Sequence, residues 1–143
     1  MRKYVLSIIL AVLFVGCDSK NEHPVPNVPV YIEPPIFIYD AEYNNLLNPY
    51  GIVIVPNQGF MGNGIIIVNI GNNEFKAYDA TCCYEVQQGC VVSADSNSNV
   101  LVKCNCCGSK YEVTFGAVNV GPATYPLKTY KTSFDGEYLR VYN

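Results

Sequence analysis

Six cysteines fall in two short stretches, "TCCYEVQQGC" (81–90) and "KCNCCGSKY" (103–111). The one other cysteine is Cys17. Structural staples are usually spread along a chain, whereas these sulfurs gather at two places about twenty residues apart. A fold for this chain must therefore set two loops side by side. A shared metal would make the same demand, because a tetrahedral thiolate shell spans only a few ångströms. Cys104 and Cys107 have the C-x-x-C spacing of metal and redox pairs. Cys82 and Cys83 are adjacent, and a bond between neighbours closes a strained ring. The even count also permits three disulfides, in any of about 15 connectivities.

The N-terminus reads as an address. Arg2 and Lys3 precede an apolar run from Tyr4 to Val15, too short to span a bilayer as a helix. Phe14-Val15-Gly16-Cys17 resembles the lipobox of bacterial lipoproteins, with Phe14 in place of the leucine commonly found there. That resemblance implies a signal peptide over 1–16, cleavage before Cys17 and acylation of Cys17. It also implies a lipid-anchored place in the bacterial cell envelope, periplasmic or surface-exposed, where disulfides persist. Residues 17–35 hold Pro24, Pro26, Pro29, Pro34 and Pro35 and read as a semi-rigid tether, with His23 a solvated part of it. His23 is the only histidine, and no basic cluster follows Lys3. Nucleic-acid binding, which needs clustered Lys and Arg, and histidine-dependent nucleophilic catalysis both lack their residues. The chain is expected to be a non-enzyme.

From residue 36 to 143 the pattern is all-β. Short apolar runs, "IFIY" (36–39), "IVIV" (52–55), "IIIVNI" (65–70), "EFKAYDA" (74–80), "VLVK" (100–103), "KYEVTF" (110–115), "LKTYKT" (127–132) and "YLRVY" (138–142), alternate with turn residues. "GNN" (71–73) and Asp135-Gly136 are hairpin signals. Residues 41–51 have weak helical or turn character. The spacing predicts a small antiparallel β-sandwich or barrel carrying a two-loop, cysteine-rich tip.

In this order, "FKAYDATCCY", Gly89-Cys90, "CNCCGSKY" and "VGPATYPL" (120–127) resemble a Rieske-type [2Fe–2S] domain over roughly residues 60–143. The family has a C-x-H box followed by Gly-Cys, then a C-x-C-H-G-S box and a proline loop. The resemblance puts Cys82 and Cys104 at the cysteine-ligand positions and pairs Cys90 with Cys106 in a disulfide joining the loops. Gly108, Ser109 and Tyr111 match the Gly-Ser and the aromatic that follows. Tyr84 and Cys107 stand where the two histidines would be, and the first box is longer than the family's. The implied ligand set is thus Cys82, Cys104, Cys107 and Tyr84, with Cys83 as a substitute for Tyr84.

Several occupants of this tip stay open. One is a [2Fe–2S] cluster on non-standard ligands, serving electron transfer to a redox partner near the membrane. A second is a structural Zn²⁺ on the same thiolates. The third is a cofactor-free binding or scaffold domain, stapled by Cys90–Cys106, Cys82–Cys104 and Cys83–Cys107.

Overall fold

A computed structural model describes residues 22–143; the expected signal peptide and Cys17 lie outside the described residues. The strands are Ile36–Phe37 (β1), Ile52–Val55 (β2), Ile65–Gly71 (β3), Glu74–Asp79 (β4), Val92–Ala94 (β5), Leu101–Cys104 (β6), Lys110–Glu112 (β7), Val118–Val120 (β8), Thr129–Phe134 (β9) and Tyr138–Tyr142 (β10). They form two antiparallel sheets, ordered β1-β10-β9-β4-β3-β2 and β5-β6-β7-β8. Short 3-10 turns at Asn44–Leu47, Phe60–Gly62 and Val86–Gln88 are the helical elements among the described residues. The all-β antiparallel expectation holds.

β3 explains the layering. Ile65, Ile66, Ile67 and Val68 are all fully buried, so this strand is covered on both faces. Side chains alternate across a sheet. Ile66 and Val68 pack with Val92, Val102 and Tyr111 of the smaller sheet. Ile65 and Ile67 pack instead with Ile36, Leu46, Leu139 and Val141. The larger sheet is thus the wall between two apolar layers. "GNN" turns as expected: Asn72 and Asn73 have φ of 51° and 59°, the left-handed pair that suits a two-residue hairpin.

Several segments depart from the sequence reading: β5 and β8 fall outside the expected runs, β9 continues to Phe134, and two further departures have a clear cause. "KYEVTF" leaves the strand after Glu112, because the Glu112 carboxylate accepts the N–H groups of Thr114 and Phe115 and closes a turn. The turn ends at Gly116, with φ of 71° and no room for a Cβ, which would lie 2.8 Å from the Tyr78 ring. The tether reading fails for residues 25–32. Val25, Val30 and Ile32 are buried. The Ile32 N–H donates to Val141 O, and the Val30 N–H donates to Asn143 Oδ1. Proline content hid Val30 and Ile32, which pack in the layer of Leu139 and Val141, and Val25, which packs in the other layer with Cys83 and Leu127.

Asp79 closes β4 three residues before Cys82 and is fully buried. Its Oδ2 accepts the Phe60 N–H and the Tyr130 hydroxyl, both at 2.7 Å, and its Oδ1 accepts the Thr81 N–H at 2.9 Å. One carboxylate therefore ties the Phe60–Gly62 turn, β9 and the first cysteine loop together. Replacing Asp79 with Ala leaves three buried donors unpaired and should cost at least about 2 kcal/mol in denaturant unfolding. An unchanged midpoint would show that the three elements are held by packing alone.

Candidate metal centre

The first cysteine loop is pinched at its base. The Cys82 N–H donates to Cys90 O, and the Val92 N–H donates to Ala80 O. The residues in excess of the family's box form the Val86–Gln88 turn, flanked by left-handed Glu85 and Gly89, with Val86 buried as a plug. The second loop folds back on itself. The Cys104 N–H donates to Ser109 O and the Gly108 N–H to Cys104 O, with Gly108 at φ 79°. That return brings Cys107 back over Cys104. Cys90 and Cys106 are bonded, with their Cα atoms 6.0 Å apart, and join the loops as the resemblance implied.

Opposite this bridge, the sulfurs of Cys82, Cys104 and Cys107 lie within 4.8 Å of one another. Cys82 Sγ and Cys107 Sγ are 3.6 Å apart. Two hydroxyls face them. Tyr111 Oη accepts the Cys83 N–H at 3.2 Å, which leaves its own proton for Cys82 Sγ at 3.4 Å. Ser109 Oγ accepts the Ala123 N–H at 2.9 Å, from the proline loop, and its proton is left for Cys107 Sγ at 3.1 Å. Each hydroxyl is therefore set by a backbone donor to supply a hydrogen bond to sulfur.

The three sulfurs differ in environment. Burial pushes the Cys82 thiol up to about 12, against the hydrogen bonds from Tyr111 and the Tyr84 backbone. Cys107 is half-buried. Partial desolvation opposes its ionisation, yet the Ser109 hydroxyl and N–H, with the Cys104 and Cys82 thiols, hold it below the ordinary thiol value. Tyr111 is raised by burial first and then by Cys82, so its phenol is a donor and not an anion.

The other expected ligands do not join this group. Cys83 Sγ lies on the far side of its own backbone and donates to Pro126 O at 3.1 Å. Cys83 and Cys107 are both free thiols, so the Cys83–Cys107 bridge considered above is not formed here. Burial, and then the Asp79 charge, push the Cys83 thiol up to about 12. The Tyr84 ring is 37% exposed, and this residue reaches Cys82 through its backbone. His23 is not a free tether residue. Its Nδ1 accepts the Val25 N–H at 3.1 Å, and its Nε2–H donates to Pro126 O at 2.9 Å. Nε2 stands 4.0 Å from Cys83 Sγ, but the Pro126 carbonyl takes the ring's proton.

Sequence reading matched Ser109 and Tyr111 only as family positions. Their sulfur-directed protons depend on the partners of each hydroxyl, which come from Ala123 and Cys83 and have no signature in spacing.

The bridge makes a testable claim about stability. It closes a loop of sixteen residues, so Cys106→Ser should cost about 3 kcal/mol in chemical unfolding under non-reducing conditions. Peptide mapping of the oxidised protein should recover Cys90 joined to Cys106. Recovery of Cys90 joined to Cys82 or Cys104 would overturn the loop arrangement.

No family model matches the chain, and no curated protein matches it. Solved structures do resemble it. The plasma-membrane Rieske protein of the cyanobacterium Synechocystis PCC 6803 is 25% identical, with a TM-score of 0.54 over 80% of this chain and 98% of that one. The ferredoxin of carbazole 1,9a-dioxygenase from Nocardioides aromaticivorans is 16% identical, with a TM-score of 0.51 over 80% of this chain and 97% of that one. Together with the paired cysteine loops, these likenesses make the described part of the chain a Rieske-like fold domain.

Proposed function

We propose that this domain is a membrane-tethered metal–thiolate module holding one thiophilic ion on Cys82, Cys104 and Cys107. One observation carries the reading: three sulfurs within 4.8 Å of one another, two of them met by preset hydroxyl donors. Metal–sulfur bonds of about 2.3 Å in a tetrahedral shell separate neighbouring sulfurs by about 3.8 Å. The Cys82–Cys107 separation of 3.6 Å is close to that spacing. Soft thiolates select ions such as Zn²⁺ or Cu⁺.

The [2Fe–2S] cluster of the resembled family needs two protein ligands on each of two irons. These residues do not fit it. Cys82 and Cys107 stand at the separation of two ligands on one ion, and the fourth donors expected from Cys83 and Tyr84 are turned to Pro126 and to solvent. Electron exchange with a redox partner stays within this proposal only for a copper ion, since Zn²⁺ has no redox chemistry, and its path would be the half-buried Cys107, the most exposed of the three. A carrier or binding role fits better than an enzyme, since both nitrogens of His23 are engaged. Envelope location rests on the lipobox of Cys17 and on the membrane setting of the Synechocystis protein. Among the described residues no helix is long and apolar enough to cross a membrane.

The second reading, a metal-free stapled scaffold, draws on the same Cys82–Cys107 approach, which leaves little movement before a bond. Anaerobic titration separates the two. The reduced chain should take up about one Zn²⁺ or Cu⁺, and Cys82→Ser, Cys104→Ser or Cys107→Ser should each weaken binding at least roughly tenfold. Cys83→Ser should leave affinity unchanged. Two irons per chain with visible absorption would contradict the single-ion centre. Recovery of a Cys82–Cys107 disulfide with no metal uptake would select the stapled scaffold.

A further inference from the structure

The N-terminal segment meets the domain at a defined place. His23 is bound to Pro126 O, and Val25 just after it is fully buried. A cavity of about 300 Å³ beside this contact is lined by His23, Phe115, Pro126, Leu127 and Lys128, among others. Phe115 is 75% exposed, more than any other large apolar side chain among the described residues. Tyr125 is 40% exposed, and its ring meets the edge of His23 with centroids 6.3 Å apart. One face thus presents an unpaired Phe, a Tyr and the amine of Lys128 at the point where the chain leaves toward Cys17.

From the geometry we infer that this face, centred on Phe115 and Tyr125, lies on the lipid bilayer. The inference rests on lipid attachment at Cys17, as proposed above. Five residues lie between Cys17 and His23, and six Cα steps reach at most about 20 Å. A domain of this size is about 35 Å across. The tether is shorter than the domain, so the far end cannot turn to the membrane while the lipid stays inserted. Aromatic side chains with a flanking Lys suit the headgroup boundary, the rings entering the interface and the amine meeting anionic lipid. Burial of Val25 and Ile32 is what shortens the tether; a free segment to Pro35 would let the domain tumble. The seated face borders Pro126, whose carbonyl also takes the Cys83 thiol, so the cysteine loops sit beside the membrane surface.

The chain contains no tryptophan, so one introduced indole reports alone. Phe115→Trp and, in the turn after β1 and outside this face, Tyr39→Trp would each be made in the full mature lipoprotein. Each would be reconstituted into phosphatidylethanolamine–phosphatidylglycerol vesicles with brominated acyl chains. Emission from Trp at 115 should fall to roughly half or less, and emission from Trp at 39 should stay as in unbrominated vesicles. Protein that floats with the vesicles but shows equal quenching at the two positions, or none at 115, overturns the inference and leaves the anchor standing. Protein that does not float and carries no acyl group at Cys17 by mass spectrometry overturns the anchor and the inference together. Shielding of Trp at 115 in native membranes alone, with none in pure lipid, would assign the face to a protein partner and overturn the bilayer.

Discussion

The bond between Cys90 and Cys106 is the constraint on which the tip depends. It holds two loops from different parts of the chain in one register. Cys104 then follows at the end of β6 and Cys82 three residues beyond β4, and Cys107 follows from the left-handed return at Gly108. Without the bridge, the loops are joined only by weaker links such as the hydrogen bond from the Cys83 N–H to Tyr111 Oη. With it, three further sulfurs converge where neither loop alone could bring them.

The fold below the tip supplies stiffness rather than chemistry. β3 is buried on both faces and β4 ends in the Asp79 network, so the first loop springs from a fixed base. Ala123 of the proline loop donates to Ser109, which in turn faces Cys107. Tyr111 takes the N–H of Cys83 and faces Cys82. In both cases a backbone group orients a hydroxyl, and the hydroxyl points at sulfur. Such donors favour the ionised sulfur that a metal requires.

Much of this was legible in the residues. Runs such as "IIIVNI" and the "GNN" turn announced the strands, because apolar continuity and left-handed Asn are local properties. The bridge and the convergence of Cys82, Cys104 and Cys107 were legible through the family resemblance. What stayed hidden was non-local. Val30 read as spacer until β10 was there to receive it, and Val25 until the layer around Leu127 was. His23 read as solvated because Pro126, 103 residues later, could not be foreseen as its acceptor. Cys83 passed as a substitute ligand because adjacency along the chain conceals direction: neighbours on extended backbone point to opposite sides. The 3.6 Å approach of Cys82 to Cys107 is likewise a fact of distance, which a sequence does not carry.

The central claim is one ion held by sulfur, and X-ray absorption at the edge of the bound metal tests it most directly. A single shell of sulfur scatterers at about 2.3 Å, with no second metal behind it, is the predicted result. A short metal–metal vector, or a first shell dominated by nitrogen or oxygen, would contradict it.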